Sequence, residues 1–135
     1  MGSKNILVFA AALVVGIVIG FGADEYLHQR GAEESAKAAL MGAGSCLQKN
    51  DLVCAMTFAQ TAIVNAPNAY SPYEAAGDVY VRMNDPSAAK EMYNMAIARL
   101  KSGGDGAMLV AKGVVSAENA STLVQRKLDA LPRGD

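Results

Sequence analysis

The chain has 135 residues, and its 12 Lys and Arg against 13 Asp and Glu leave a net charge of −1. That length holds one small domain and an anchor, and the lack of a long basic stripe argues against a nucleic-acid interface. Abundant Ala and Gly beside five Tyr, three Phe and no Trp suit closely packed helices.

Residues 5–23, NILVFAAALVVGIVIGFGA, carry no charge. As a helix rising about 1.5 Å per residue the run spans roughly 28 Å, close to the ~30 Å hydrocarbon core. The expectation is a single transmembrane helix. A cleavable signal peptide is the competing reading, with Lys4 as its charged start and Gly20-Phe21-Gly22 as a small-x-small cleavage site. The run is longer than the roughly 7–15 apolar residues usual there. Lys4 and the α-amine precede the span with no acid, while Asp24, Glu25, His28, Arg30, Glu33 and Glu34 follow it. The positive-inside rule then sets the N-terminus in the cytoplasm and the remainder outside, at an inner membrane with the domain in the periplasm. Within the span Ala12, Gly16 and Gly20 share one helix face, and Gly16 to Gly20 forms G-x-x-x-G. Such a stripe lets a second helix approach closely. The alternative is that small residues are simply common in membrane helices.

Residues 24–35 form a polar juxtamembrane linker. Helical periodicity then runs from Ala32 to about Lys49, with Ala36, Ala39, Leu40, Ala43 and Leu47 on one side. Asn50-Asp51 makes a turn. A second helix, Leu52 to Asn65, stops before Pro67. The third covers Tyr70 to Met83. Asp85 caps the fourth, with Pro86 at its first position, and Gly103-Gly104 ends it. Gly106 to Val115 and Glu118 to Leu131 are the expected fifth and sixth helices.

A fixed period runs through this part of the chain. Asn50-Asp51 recurs as Asn84-Asp85, Ala55 as Ala89, and Ala62-Ile63 as Ala96-Ile97. Such self-similarity marks stacked helix pairs, each burying against its neighbours the surface it cannot bury alone. The alternative is an ordinary helical bundle with chance self-similarity. The middle copy reads Tyr73-x-x-Ala76-Gly77-x-x-Tyr80, then Ala89-x-x-x-Tyr93 and Ala96. It resembles the tetratricopeptide repeat, W-x₂-L-G-x₂-Y…A-x₃-F…P, in its residues and in its period of about 34 residues. The first copy keeps Ala39, Gly42, Ala43, Cys46, Ala55, Ala59, Ala62 and Pro67 and lacks the large aromatics. The third has Ala107, Val110, Ala111, Val114, Leu123 and Ala130 and is degenerate, with Arg126, Lys127 and Asp129 expected on an outer, solubilising face.

The resemblance implies an all-α fold: a transmembrane helix followed by a short solenoid of about six helices over residues 36–135. Its repeats would cover about 36–69, 70–103 and 104–135. In that family the first helix of each pair lines a groove, which here implies Lys37, Leu40, Gly44, Leu47, Glu74, Asp78, Val81, Arg82, Met108 and Lys112. This set departs from the Lys/Asn-rich clamp with which some members hold a terminal carboxylate, which puts that ligand class in doubt. The expected function is a membrane-anchored scaffold or accessory subunit, bound to other subunits of a membrane complex through both its helix and its domain. The alternative is a receptor or chaperone-like binder of peptides or client proteins at a membrane surface.

Cys46 and Cys54 flank the Asn50-Asp51 turn and either bridge it or remain two buried thiols. The residues offer no chemistry beyond this. His28 is the single His, no nucleophile elbow or phosphate loop occurs, and the Glu33-Glu34 and Glu74-Asp78 pairs read as solvated faces. No enzyme activity, cofactor or metal is expected. Met83, Met92, Met95 and Met108 read as core or gap-filling residues.

Overall fold

The computed structural model describes residues 28–102 and 117–132. The chain divides into two units, 1–32 and 33–135. Of the first only 28–32 are described, and they are helical. Among the described residues there are five helices and no strand. We label them α1 (28–48), α2 (Leu52–Asn65), α3 (Ser71–Arg82), α4 (Pro86–Ser102) and α5 (Ala117–Asp129). No described helix is long and apolar enough to cross a membrane. The expected span at 5–23, with Ala12, Gly16 and Gly20, lies outside the described residues, as do the expected helix at 106–115 and the groove residues Met108 and Lys112.

The α1–α2 and α3–α4 turns are the same object built twice. Asn50 and Asn84 hold φ of 56° and 59°, the left-handed region that Asn tolerates better than other side-chain-bearing residues. The Asn50 N–H donates to Leu47 O at 3.1 Å and the Asn84 N–H to Val81 O at 3.1 Å. The next N–H, of Asp51 or Asp85, reaches back to Cys46 O or Tyr80 O at 2.9 Å. This pair of bonds closes a helix by the Schellman pattern. Each Asp then caps the following helix. Asp51 Oδ1 accepts from the Cys54 N–H and Asp85 Oδ1 from the Ala88 N–H, both at 3.0 Å. Pro86 follows at the start of α4, where its missing N–H costs nothing.

Burial recurs at the same spacing. Ala39 and Tyr73, Ala43 and Gly77, Ala55 and Ala89, Ala59 and Tyr93, and Ala62 and Ala96 are all buried. The Ala and Gly among them let the helices of each hairpin approach. A Cβ at Gly42 would stand 2.8 Å from Phe58 Cδ1, and one at Gly77 would collide with the Tyr93 ring. Gly42 with Phe58 and Cys46 with Cys54 are both centred on Asn50, as an antiparallel hairpin requires.

The main core lies farther along the chain. Tyr70, Tyr73, Ala89, Tyr93, Ala96, Ile97 and Leu100 pack with Ala120 and Val124 of α5, while Ile63, Tyr80, Met92 and Met95 close its edge. Met83, expected in the core, is instead 38% exposed at the end of α3. The phase of α5 also departs from the expected third copy. Leu123 is 42% exposed and Ala130 is exposed, while Ala120 and Val124 are fully buried. α5 presents the face that fits beside Tyr70, Tyr73 and Tyr93, not the face that the repeat period would give.

Candidate interaction surface

Glu74 and Asp78 stand one turn apart on α3. Two carboxylates at i and i+4 repel, and without a counter-charge they cost helix stability. α5 supplies that charge. Lys127 Nζ lies 2.8 Å from Glu74 Oε1 and 2.7 Å from Asp78 Oδ2, and it also donates to Asp78 Oδ1 at 2.8 Å. Tyr93 Oη of α4 donates to the same Asp78 Oδ1 at 2.7 Å. One carboxylate thus joins three helices. Lys127, expected on an outer face, is turned inward because α5 packs through Ala120 and Val124, and its long stem reaches from that seam to the α3 carboxylates.

The electrostatics of the cluster follow from this packing. Burial works against the Lys127 ammonium, but hydrogen bonds to Asp78 and Glu74, together with their charges, hold its pKa above the ordinary lysine value. Burial is the largest cause raising the Tyr93 hydroxyl, reinforced by the hydrogen bond that it donates to Asp78. Tyr70 is raised too, by burial first and the Glu74 charge second, with Lys127 opposing.

A second polar contact backs the cluster. Tyr73 Oη donates to Pro67 O at 3.0 Å, which ties α3 to the loop after α2. The Arg99 guanidinium lies over the Tyr73 ring, 5.4 Å from its centroid, and its Nε is buried without a hydrogen-bond partner among the described residues. A cation over an aromatic face is held by the ring quadrupole.

The remaining expected groove residues are dispersed. Lys37 pairs within its own helix, at 3.0 Å to Glu34 and 3.6 Å to Glu33. Leu40 packs with Ala36, Ala66 and Ala69, and Leu47 with Cys46, Ala55 and Val79. Gly44, Val81 and Arg82 are exposed. Among the described members of the expected set, only Glu74 and Asp78 are joined through a common partner. The participants missed from sequence are Lys127, Tyr93 and Arg99. The available signal was the Glu74-Asp78 pair on one helix face, which demands a cation from elsewhere.

Cys46 on α1 and Cys54 on α2 are within bonding distance, with sulfurs 2.02 Å and Cα atoms 5.8 Å apart. They bridge the Asn50-Asp51 turn. Among the described residues no group of three His, Cys, Asp or Glu side chains is gathered as a metal site. Two grooves run along α4, one of about 820 Å³ between its first turn and the end of α5 and a more open one lined by Ser87, Glu91, Asn94 and Ala98. Searches against protein-family models, curated proteins and solved structures find no match to the chain.

Proposed function

We propose that the chain is a membrane-anchored scaffold or accessory subunit, built from tetratricopeptide-like helix pairs, that helps to assemble or stabilise a larger membrane complex. The observation that carries this reading is the periodic turn and burial pattern, repeated bond for bond at Asn50-Asp51 and Asn84-Asp85. Stacked pairs of this kind form extended interaction surfaces. The carboxylates best placed to hold a basic peptide, Glu74 and Asp78, are already bound to Lys127. That favours a part that docks as a block over a versatile peptide receptor.

The anchor is the uncharged run at 5–23, with Ala12, Gly16 and Gly20 as its packing face. The domain stands on the extracytoplasmic side, a location supported by the paired cysteines, since disulfides persist in oxidising compartments. Cross-linking mass spectrometry in native membranes tests the reading. The expected result is links from the domain and the anchor to the same set of membrane subunits. Recovery of no other polypeptide, or reactive cysteines facing the cytosol, would overturn it.

A further inference from the structure

The outer surface of α4 serves as an internal control for that of α2. One repeat along, Val53, Thr57, Gln60 and Val64 of α2 correspond to Ser87, Glu91, Asn94 and Ala98, and all of these are exposed. α4 carries charge there, as a face in water does, and its Lys90 stands where α2 has Met56. α2 has no charged residue in its whole length. Val53 and Val64 are 77% and 78% exposed. The two hydroxyls between them, and the Asn65 amide just beyond, are turned onto the helix itself. Thr57 Oγ1 donates to Val53 O, Thr61 Oγ1 to Thr57 O, and Asn65 Nδ2 to Thr61 O, each at 2.9 Å. What remains outward is methyl groups and the exposed Gln60. Scattered exposed apolar residues need no explanation, but a continuous uncharged face on one copy of a repeated element does.

The spacing of that face identifies its occupant. Positions 53, 57, 60 and 64 step by four, three and four, the seam of two packed helices. The order is apolar, polar, polar, apolar from either end, so the face is complementary to itself under a two-fold axis. Antiparallel packing sets Val53 against Val64 of a second copy and Thr57 against Gln60. The Thr57 oxygen, its proton committed to Val53 O, retains lone pairs to accept from that Gln60 amide. Antiparallel helices also bring the Asp51-capped N-terminus beside the opposite helix end, a favourable dipole arrangement. A lipid surface fits less well, because interfacial helices flank their apolar face with Lys or Arg, and α2 has neither.

We propose that the outer face of α2 is a self-association surface through which two copies of this chain pair antiparallel. The inference is separate from the scaffold reading, which concerns other subunits. Its test is sedimentation of the purified full-length chain in mild detergent over a concentration series, with Thr57→Glu and Val64→Glu as variants. Glu91→Ala on α4 and Gly16→Ile in the anchor are controls. Circular dichroism checks that each variant is folded. The expected result is a dimer that Thr57→Glu and Val64→Glu each weaken by more than about tenfold and that Glu91→Ala leaves intact. A photo-cross-linker replacing Val64 should link to the peptide containing Val53 of the other copy. A monomer at every concentration overturns the proposal. So does a dimer indifferent to both α2 variants, including one lost only in Gly16→Ile, or a Val64 cross-link solely to lipid or to another polypeptide.

Discussion

Lys127 on α5 and Asp78 on α3 meet across 49 residues of chain, with the ammonium 2.7 Å from Oδ2 and Glu74 on its other side. Replacing Lys127 with Met leaves two carboxylates facing each other at a half-buried seam. The pair lies between a surface bridge, worth up to about 1 kcal/mol, and a buried one, whose breakage costs about 3–5 kcal/mol. Lys127→Met should therefore lower stability by about 1–2 kcal/mol, measured by urea denaturation. The Glu74→Gln, Lys127→Met double variant should lose less than the sum of the two single changes, as expected for groups in contact.

The same cluster predicts sensitivity to alkali. Lys127, Tyr70 and Tyr93 all have pKa values raised above their ordinary ones. A raised folded pKa means that the native state holds its proton more tightly than the unfolded chain does. The associated stability is complete below the unfolded value, near 10 for both residue types, and falls as pH climbs through the folded value. Denaturation midpoints should thus decline above about pH 10. Lys127→Met combined with Tyr93→Phe should flatten that decline.

Gly42 faces Phe58 in the first hairpin and Gly77 faces Tyr93 in the second, and their tolerance should differ. Phe58 is 38% exposed and its ring has room to swing outward. Tyr93 is 2% exposed and fixed by its hydrogen bond to Asp78. Replacing Gly by Ala in a helix gains up to about 1 kcal/mol, whereas overpacking a core costs about 1–3 kcal/mol. Gly42→Ala should be close to neutral or stabilising. Gly77→Ala should destabilise, a contrast that thermal unfolding of the two variants would show.

Removing the link between α1 and α2 should cost more than a surface change. Closing a loop this short removes about 2–3 kcal/mol of unfolded-chain entropy. Cys46→Ser with Cys54→Ser should lower stability by up to that amount. Hydrogen exchange should locate the loss in α1 and α2, with α4 and α5 little changed.

Much of this architecture was readable where local chemistry decides it. Asn50-Asp51 and Asp85-Pro86 announce helix ends through the αL tolerance of Asn, the capping oxygen of Asp and the missing N–H of Pro. The Leu52 to Asn65 helix matches its expected bounds. The face that α5 buries was not readable. Ala62, Ala96 and Ala130 share a spacing, but burial of α5 is set by the surface left open beside Tyr70, Tyr73 and Tyr93, and that surface accepts Ala120 and Val124. The inward turn of Lys127 follows from the same packing, so the expected groove held Glu74 and Asp78 without their counter-ion. Leu40 and Leu47 were expected to meet a partner and are half-covered by the chain's own Ala69 and Val79.

The two ends of the domain are held by unlike chemistry, a sulfur bridge near the start and an ammonium between carboxylates near the finish. One yields to reductant and the other to alkali, so the domain should unravel from whichever end its surroundings attack. Reductant should leave the α3–α4 hairpin standing, because its Asn84-Asp85 turn carries no sulfur.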